Sequence, residues 1–198
     1  IHDIDVFTRG AEQPEVFRQA MDGCYRALDR LRSEGVVRAI GVGVNEWQVA
    51  HDSLQAFDLD CVMLAGRYTL LEQDSLTPFL EDCLRHGVAV IVAGPFNSGV
   101  LAGAARFDYA PVPGDVGMRV TALQTVCDEF DVALPAAALQ FPLLHPAVVS
   151  CVAGATAPNS SCNACAGSKR RYPMPSGRRC RRVAWSMAAR RCRCCESR

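Results

Sequence analysis

The sequence predicts an α/β fold built on a parallel sheet, and three observations carry that reading. Short β-branched apolar runs alternate with segments of helical period. The runs carry almost no polar positions, as strands covered on both faces do. Successive strands begin roughly 25–30 residues apart until a longer last interval, which leaves room for a helical crossover each time. An open doubly wound sheet and a (β/α)8 barrel both satisfy these observations. No GxGxxG follows an early strand, so the usual dinucleotide signature of the open sheet is absent.

Taken in order, residues 16–33 read as an amphipathic helix. Phe17, Ala20, Met21, Cys24, Leu28 and Leu31 recur at three and four, with Arg18, Asp22, Arg26 and Arg30 opposite and Gly35 as the stop. Val36 to Val44 reads as a strand buried on both faces. Asn45 is placed to cap a helix over about 46–56. Residues 61–65 form the next strand. Ser75 or Thr77, with Pro78 behind, opens a helix that Gly87 closes, and residues 88–93 form a third strand. A glycine-bearing loop runs from Gly94 to Gly99. Helices are expected over 118–130 and from Leu134 to Leu144, and 148–152 is the last strand, ending at Gly154.

The 198-residue chain is 49 % apolar and 21 % charged, enough for a core and too apolar for wholesale disorder. No run approaches the ~20 apolar residues of a membrane helix. The opening Ile1-His2-Asp3-Ile4-Asp5 has no basic region of a signal peptide and no initiator methionine, which reads as a chain cut from something longer. The neutral net charge averages two unlike parts. Residues 1–158 hold ten Lys/Arg against twenty Asp/Glu, and 159–198 hold eleven Lys/Arg against Glu196 alone. Five scattered cysteines in the first part suit buried thiols in a reducing cytoplasm.

In parallel α/β sheets ligands gather at the carboxyl ends of strands. The residues found there resemble the aldo/keto reductase family: His2-Asp3, Ile40 to Trp47 (IGVGVNEW), Arg67 to Leu71 (RYTLL), Gly94 to Leu101 (GPFNSGVL), Ala137 to Phe141 (AALQF) and Val152 to Ala155 (VAGA). The pieces stand in the family's order over residues 1 to about 156, and the Gly-Val-Asn-Glu and Gly-Pro-Phe-Asn-Ser-Gly variants resemble its branch of aldose, fucose and pyridoxal dehydrogenases. The resemblance implies a (β/α)8 barrel of which the chain holds strands four to eight, with Ile1-His2 ending the fourth. It also implies NAD(P) across the carboxyl-end face and hydride exchange with a small sugar or aldehyde substrate in the cytoplasm, with no membrane partner.

Within that resemblance His2 maps onto the active-site histidine beside the reacting oxygen. Asn45 maps onto the asparagine that holds the nicotinamide carboxamide, a group needing donor and acceptor together. Gly94, Phe96, Asn97, Ser98 and Gly99 map onto the loop around the pyrophosphate, and Gly154 onto the end of the eighth strand. Each also has a plainer reading: a solvated residue near a terminus, a helix cap, an ordinary turn. Arg67 and Tyr68 fit a phosphate or sugar contact or simple packing, and His51, His86 and His145 read as structural. Two departures stand out: Ala93 replaces the family's nicotinamide-stacking aromatic ring, and Ala65 its glutamine. The family's proton-donating tyrosine, with its lysine and aspartate, lies ahead of the fourth strand, so the chain alone is expected to be inactive.

Residues 159–198 carry Arg-rich runs and six cysteines. Cys162 and Cys165 form a CxxC without a second pair of metal spacing, so no metal is expected. Two readings remain: a disordered segment arising from a reading-frame change near codon 157, or a basic arm for nucleic acid. The second would make the chain a non-enzymatic fragment.

Overall fold

The computed structural model describes residues 1–154; the expected disordered segment and the Cys162/Cys165 pair lie outside the described residues. The main sheet has four parallel strands: β1 (Gly41–Val44), β2 (Cys61–Ala65), β3 (Ala89–Ala93) and β6 (Val148–Val152), adjacent in that order. Ile1–Asp3 adds a fifth parallel segment beyond β1. The Gly43 N–H donates to Ile1 O at 2.8 Å, the Asp3 N–H donates to Gly43 O at 3.1 Å, and His2 bridges Gly43. The strands therefore occupy the sheet in chain order, without the reversal that defines a doubly wound sheet.

The expectation of strands sealed on both faces is corrected. Val62, Leu64, Val90 and Val92 are fully buried beneath the helices, whereas Cys61, Met63, Ala65, Ala89, Ile91 and Ala93 on the other face are half-buried. Strand alternation separates the two sets, and the register extends the second one. His2 pairs with Gly43, Gly43 with Met63, and Met63 with Ile91, so His2 shares the half-buried face.

The expected strand over 36–44 is shortened at its front. Helix α3 (Arg26–Ser33) ends with Gly35 at φ 73°. The Val36 N–H donates to Leu31 O at 2.9 Å and the Gly35 N–H to Arg32 O at 3.0 Å, a Schellman closure that draws Val36 into the helix end. The preceding helix is continuous from α2 (Gln13–Gln19) through a π turn (Ala20–Tyr25) that the residue spacing does not announce. Cys24, expected on its buried face, is exposed. Ahead of it stands α1 (Val6–Arg9).

Helices α4 (Trp47–Ala56) and α5 (Phe79–His86) pack on the sheet, the latter closed by Gly87 at φ 71° as expected. The helix expected from residue 118 begins earlier, as α6 (Gly114–Glu129). That expected over 134–144 divides into α7 (Leu134–Gln140) and a 3-10 turn (Phe141–Leu144). A small unforeseen hairpin, β4 (Arg106–Phe107) and β5 (Ala110–Pro111), stands between β3 and α6. The main core lies between sheet and helices, and a second one joins Leu70, Leu71, Val100, Leu101, Val116, Leu123 and Leu134. At the amino ends of the strands Arg32 pairs with Asp29, Asp58 and Asp60, tying α3 to the entry of β2.

Candidate active site at the strand carboxyl ends

His2 leaves the first strand segment with its side chain 73 % exposed and its Nδ1 2.9 Å from Asp3 Oδ2. The ring lies against Gly43, where a Cβ would meet His2 Cδ2 at 2.8 Å. Gly43 is therefore what leaves room for the imidazole.

Asn45 stands just past β1. It does not cap α4: the N-cap is Glu46, and it offers no side-chain bond to the helix. The expected cap fails because Asp5 draws Asn45 the other way. Asp5, 0 % exposed, accepts the Asn45 N–H at 2.5 Å and the Asn45 Nδ2 at 3.4 Å on Oδ2, and the Thr8 N–H at 2.9 Å on Oδ1. Burial pushes the Asp5 carboxyl up, but the hydrogen bonds from Thr8 and Asn45 outweigh it and hold the group below its ordinary value. The Asn45 side-chain oxygen makes no hydrogen bond among the described residues.

The loop after β3 takes its shape from Gly94 (φ 62°), Asn97 (φ 47°), Ser98 (φ 58°) and Gly99 (φ 97°). At Gly99 a Cβ would also meet Ala104 Cβ at 2.8 Å. The Asn97 side chain, 2 % exposed, braces this loop to the one after β2: its Nδ2 donates to Gly66 O at 3.0 Å and its Oδ1 accepts the Thr69 hydroxyl at 2.6 Å. Phe96 packs into the second core. The N–H groups of Gly94, Asn97 and Gly99 bond within the fold, to Val152 O, Gly94 O and Phe96 O. Those of Phe96 and Ser98 make no hydrogen bond among the described residues. The Ser98 oxygen accepts the Tyr109 N–H at 3.0 Å, and its own proton can still be donated. Gly154 lies exposed two residues past β6.

Arg67 is committed to the protein. Its Nε donates to Asn45 O at 2.9 Å and its Nη1 pairs with Asp108 at 2.8 Å. Tyr68 is buried against Phe141 and His145. Asp5, Asp108 and the hairpin thus support the site without having been singled out. Asp5 had a signal, since Asp followed three residues on by Thr suits a helix N-cap. The Asp108–Tyr109 tip had only half of one, because Asp suits the first positive-φ position of a tight hairpin turn whereas Tyr is not a usual holder of the second. A separate cleft of about 270 Å³ opens between the first turn of α4 and the loop after β2, lined by Glu46, Trp47, Gln48, Arg67, Glu72 and Asp74. Of the residues weighed from sequence as ligand contacts, Arg67 lines it, whereas His2, Asn45, the 94–99 loop and Gly154 do not. Burial pushes the Glu72 carboxyl up against the pull of Arg119 and Arg67. Burial raises the Cys83 thiol to about 12 and the Cys151 thiol to about 11, which makes both poor nucleophiles.

His2, Asn45 and Ser98 thus stand at the carboxyl ends of parallel strands that run in chain order, where ligands gather in α/β folds. The chain belongs to the aldo/keto reductase family, a family of NAD(P)-dependent oxidoreductases, whose model matches residues 1–163. It is 45 % identical over 164 residues to pyridoxal 4-dehydrogenase of Microbacterium luteolum, covering 80 % of this chain and 48 % of that protein. It is 39 % identical over 144 residues to D-threo-aldose 1-dehydrogenase of Pseudomonas sp, covering 70 % and 44 %. The chain thus spans about half the length of these relatives. Its fold is that of an aldo-keto reductase from Bacillus halodurans in its holo form, with TM-score 0.64, 21 % identity and coverage of 84 % of this chain and 54 % of that one. Among the described residues no helix is long and apolar enough to cross a membrane, and no group of His, Cys, Asp or Glu could hold a metal ion.

Proposed function

We propose that residues 1–154 supply strands four to eight of a (β/α)8 barrel in an NAD(P)-dependent dehydrogenase. The enzyme moves a hydride between the carbonyl or hemiacetal carbon of a pyridoxal-like or aldose substrate and the nicotinamide. The observation that carries the reading is the pairing of His2 with Gly43: it sets the imidazole on the half-buried sheet face two residues from Asn45. The site's donor set suits a dinucleotide. The unclaimed Asn45 oxygen suits a carboxamide N–H, and the Ser98 proton with the N–H groups of Phe96 and Ser98 suits phosphate oxygens. Asn97, Gly94 and Gly99 shape that loop, and Gly154 allows close approach at the last strand end.

Bound NAD(P) supplies the hydride acceptor. His2, its Nδ1 2.9 Å from Asp3 Oδ2, would stand beside the substrate oxygen and orient the C–H bond that breaks, leaving the hydroxyl proton to a separate acceptor. As the hydride leaves, the hydroxyl proton must leave too, and in this reading a tyrosine from the preceding barrel units takes it. The five free thiols among the described residues accord with a cytoplasmic setting.

The test is NAD(P)H formation from pyridoxal or L-fucose. It would be run with this chain alone and with the chain joined to the amino-terminal half of the Microbacterium luteolum dehydrogenase. The expected result is no turnover by the chain alone and turnover by the joined protein. Turnover by the chain alone would show the proton acceptor to be misassigned, and none by the joined protein would remove the proposal.

A further inference from the structure

A buried carboxylate stands behind the amide assigned to the coenzyme. Asp5 is 0 % exposed, and its two oxygens serve different neighbours. Oδ1 accepts the Thr8 N–H at 2.9 Å and caps α1. Oδ2 reaches forty residues along the chain and accepts the Asn45 N–H at 2.5 Å and the Asn45 Nδ2 at 3.4 Å. The contact is reciprocal, since Glu46 Oε2 accepts the Val6 N–H at 2.7 Å. Residues 5–6 and 45–46 thus clasp each other. Arg67 holds Asn45 from another side, its Nε donating to the Asn45 backbone oxygen at 2.9 Å.

Capping α1 does not require this arrangement. One oxygen caps a helix, and Ser or Asn serves as well as Asp. The second oxygen of Asp5 is turned to Asn45 instead, and a carboxylate held out of water by uncharged donors is an unfavourable way to bind one backbone N–H. What a carboxylate adds is that it accepts and cannot donate. Facing the Asn45 side chain, it selects the NH2 end of the amide and repels the oxygen. The amide is thereby held in one of its two flips. One Nδ2 proton goes to Asp5, while the oxygen and the second Nδ2 proton remain for a ligand. A primary carboxamide presents the complementary pair, an N–H and a carbonyl oxygen.

We propose that Asp5 is a positioning residue for coenzyme binding: it sets the flip of the Asn45 amide, so that the amide oxygen meets the N–H of the coenzyme carboxamide. This rests on the function proposed above and adds to it a residue that touches neither coenzyme nor substrate. Without the Asp5 carboxylate, Arg67 still holds the Asn45 backbone, but the side-chain amide is free to turn. An amide free to take either flip offers the matching pair about half of the time and must be ordered on binding.

The experiment measures binding of NADH and NADPH to the 198-residue chain by equilibrium dialysis and carries the tighter coenzyme through the variants. Asp5→Ser keeps an oxygen for the Thr8 N–H and removes the one that faces Asn45. It should weaken the coenzyme by about two- to fivefold. Asp5→Asn keeps the volume, should act in the same direction, and takes its place if Asp5→Ser does not fold. In an Asn45→Ala background the Asp5 substitution should have no further effect. The acetylpyridine analogue of the coenzyme carries a methyl ketone with no N–H to donate, and it should bind the unaltered chain and the Asp5 variant alike. Without coenzyme, the Asn45 side-chain NH2 signals in NMR spectra should move in the Asp5 variant. Coenzyme affinity unchanged in the folded variant, equal weakening in the Asn45→Ala background, equal weakening of the analogue, or unmoved NH2 signals would each overturn the proposal. Failure of both coenzymes to bind the unaltered chain would count against the proposed function itself, and the inference would fall with it.

Discussion

Replacing Asn97 by Ala tests whether the loop after β3 is held by its buried amide. The substitution removes two hydrogen bonds, from Nδ2 to Gly66 O and from the Thr69 hydroxyl to Oδ1, in a position 2 % exposed. Each bond contributes about 1 kcal/mol net, and the Thr69 proton left without an acceptor costs about 1 kcal/mol more. The backbone at φ 47° is easier for Asn than for Ala, by about 1 kcal/mol. The expected loss is about 3–4 kcal/mol, read as a fall in the urea midpoint at unchanged slope. Asn97→Gly separates the causes, since it loses the same bonds without the backbone strain and should be milder by about 1 kcal/mol. A loss below about 1 kcal/mol for Asn97→Ala would refute the reasoning.

Other perturbations follow from the same contacts. Gly43→Ala places a methyl 2.8 Å from His2 Cδ2; the His2 ring signals should shift in NMR spectra, and turnover in the completed barrel should fall about 10²-fold, an unshifted ring being the contrary result. Asp5→Asn exchanges a carboxylate that accepts from Asn45 and Thr8 for a neutral amide and should cost about 2 kcal/mol in urea unfolding. Acid should destabilise the protein in two stages. Burial holds the His145 imidazole below its ordinary 6.5 while Nδ1 accepts the Ala147 N–H, so its contribution is full above 6.5 and is lost as pH falls below 6.5 through its lower folded value. Asp82, lowered by its hydrogen bond to His51, and Asp60, lowered by that from the Ile40 N–H, lose theirs as pH falls below 3.8 through their folded values. Unfolding followed against pH should show both stages, and His145→Gln should remove only the upper one.

Much of this architecture is legible from residue patterns alone. Residues 61–65, 88–93 and 148–152 carry β-branched runs bounded by turn residues, and the strands lie where those runs lie. Val36 to Ile40 has the same composition but no strand, because the Gly35 closure takes Val36 into the helix end before a strand can begin. Local sequence cannot register that competition. Asn45 illustrates a second limit. Its spacing suits a helix cap, but the helix begins one residue later, with Glu46 at the cap position, and a buried carboxylate forty residues earlier takes the Asn45 N–H and side-chain amide. The Asp108–Tyr109 tip is a third case. Its backbone is fixed by Arg67 and Ser98 rather than by the preferences of its own residues, so only tertiary structure reveals it. The family resemblance pointed to His2 and the 94–99 loop, while the division of labour inside that loop, with Asn97 as brace and the Ser98 oxygen accepting the Tyr109 N–H, came from the hydrogen bonds.

The measurement that bears most directly on the account is coenzyme affinity of the unaltered chain and of Asn45→Ala and Ser98→Ala, by titration of NADH and NADPH fluorescence. At least one coenzyme should bind, and each substitution should weaken it by about five- to tenfold, the worth of one hydrogen bond. Binding of neither coenzyme, or binding indifferent to both substitutions, would contradict it.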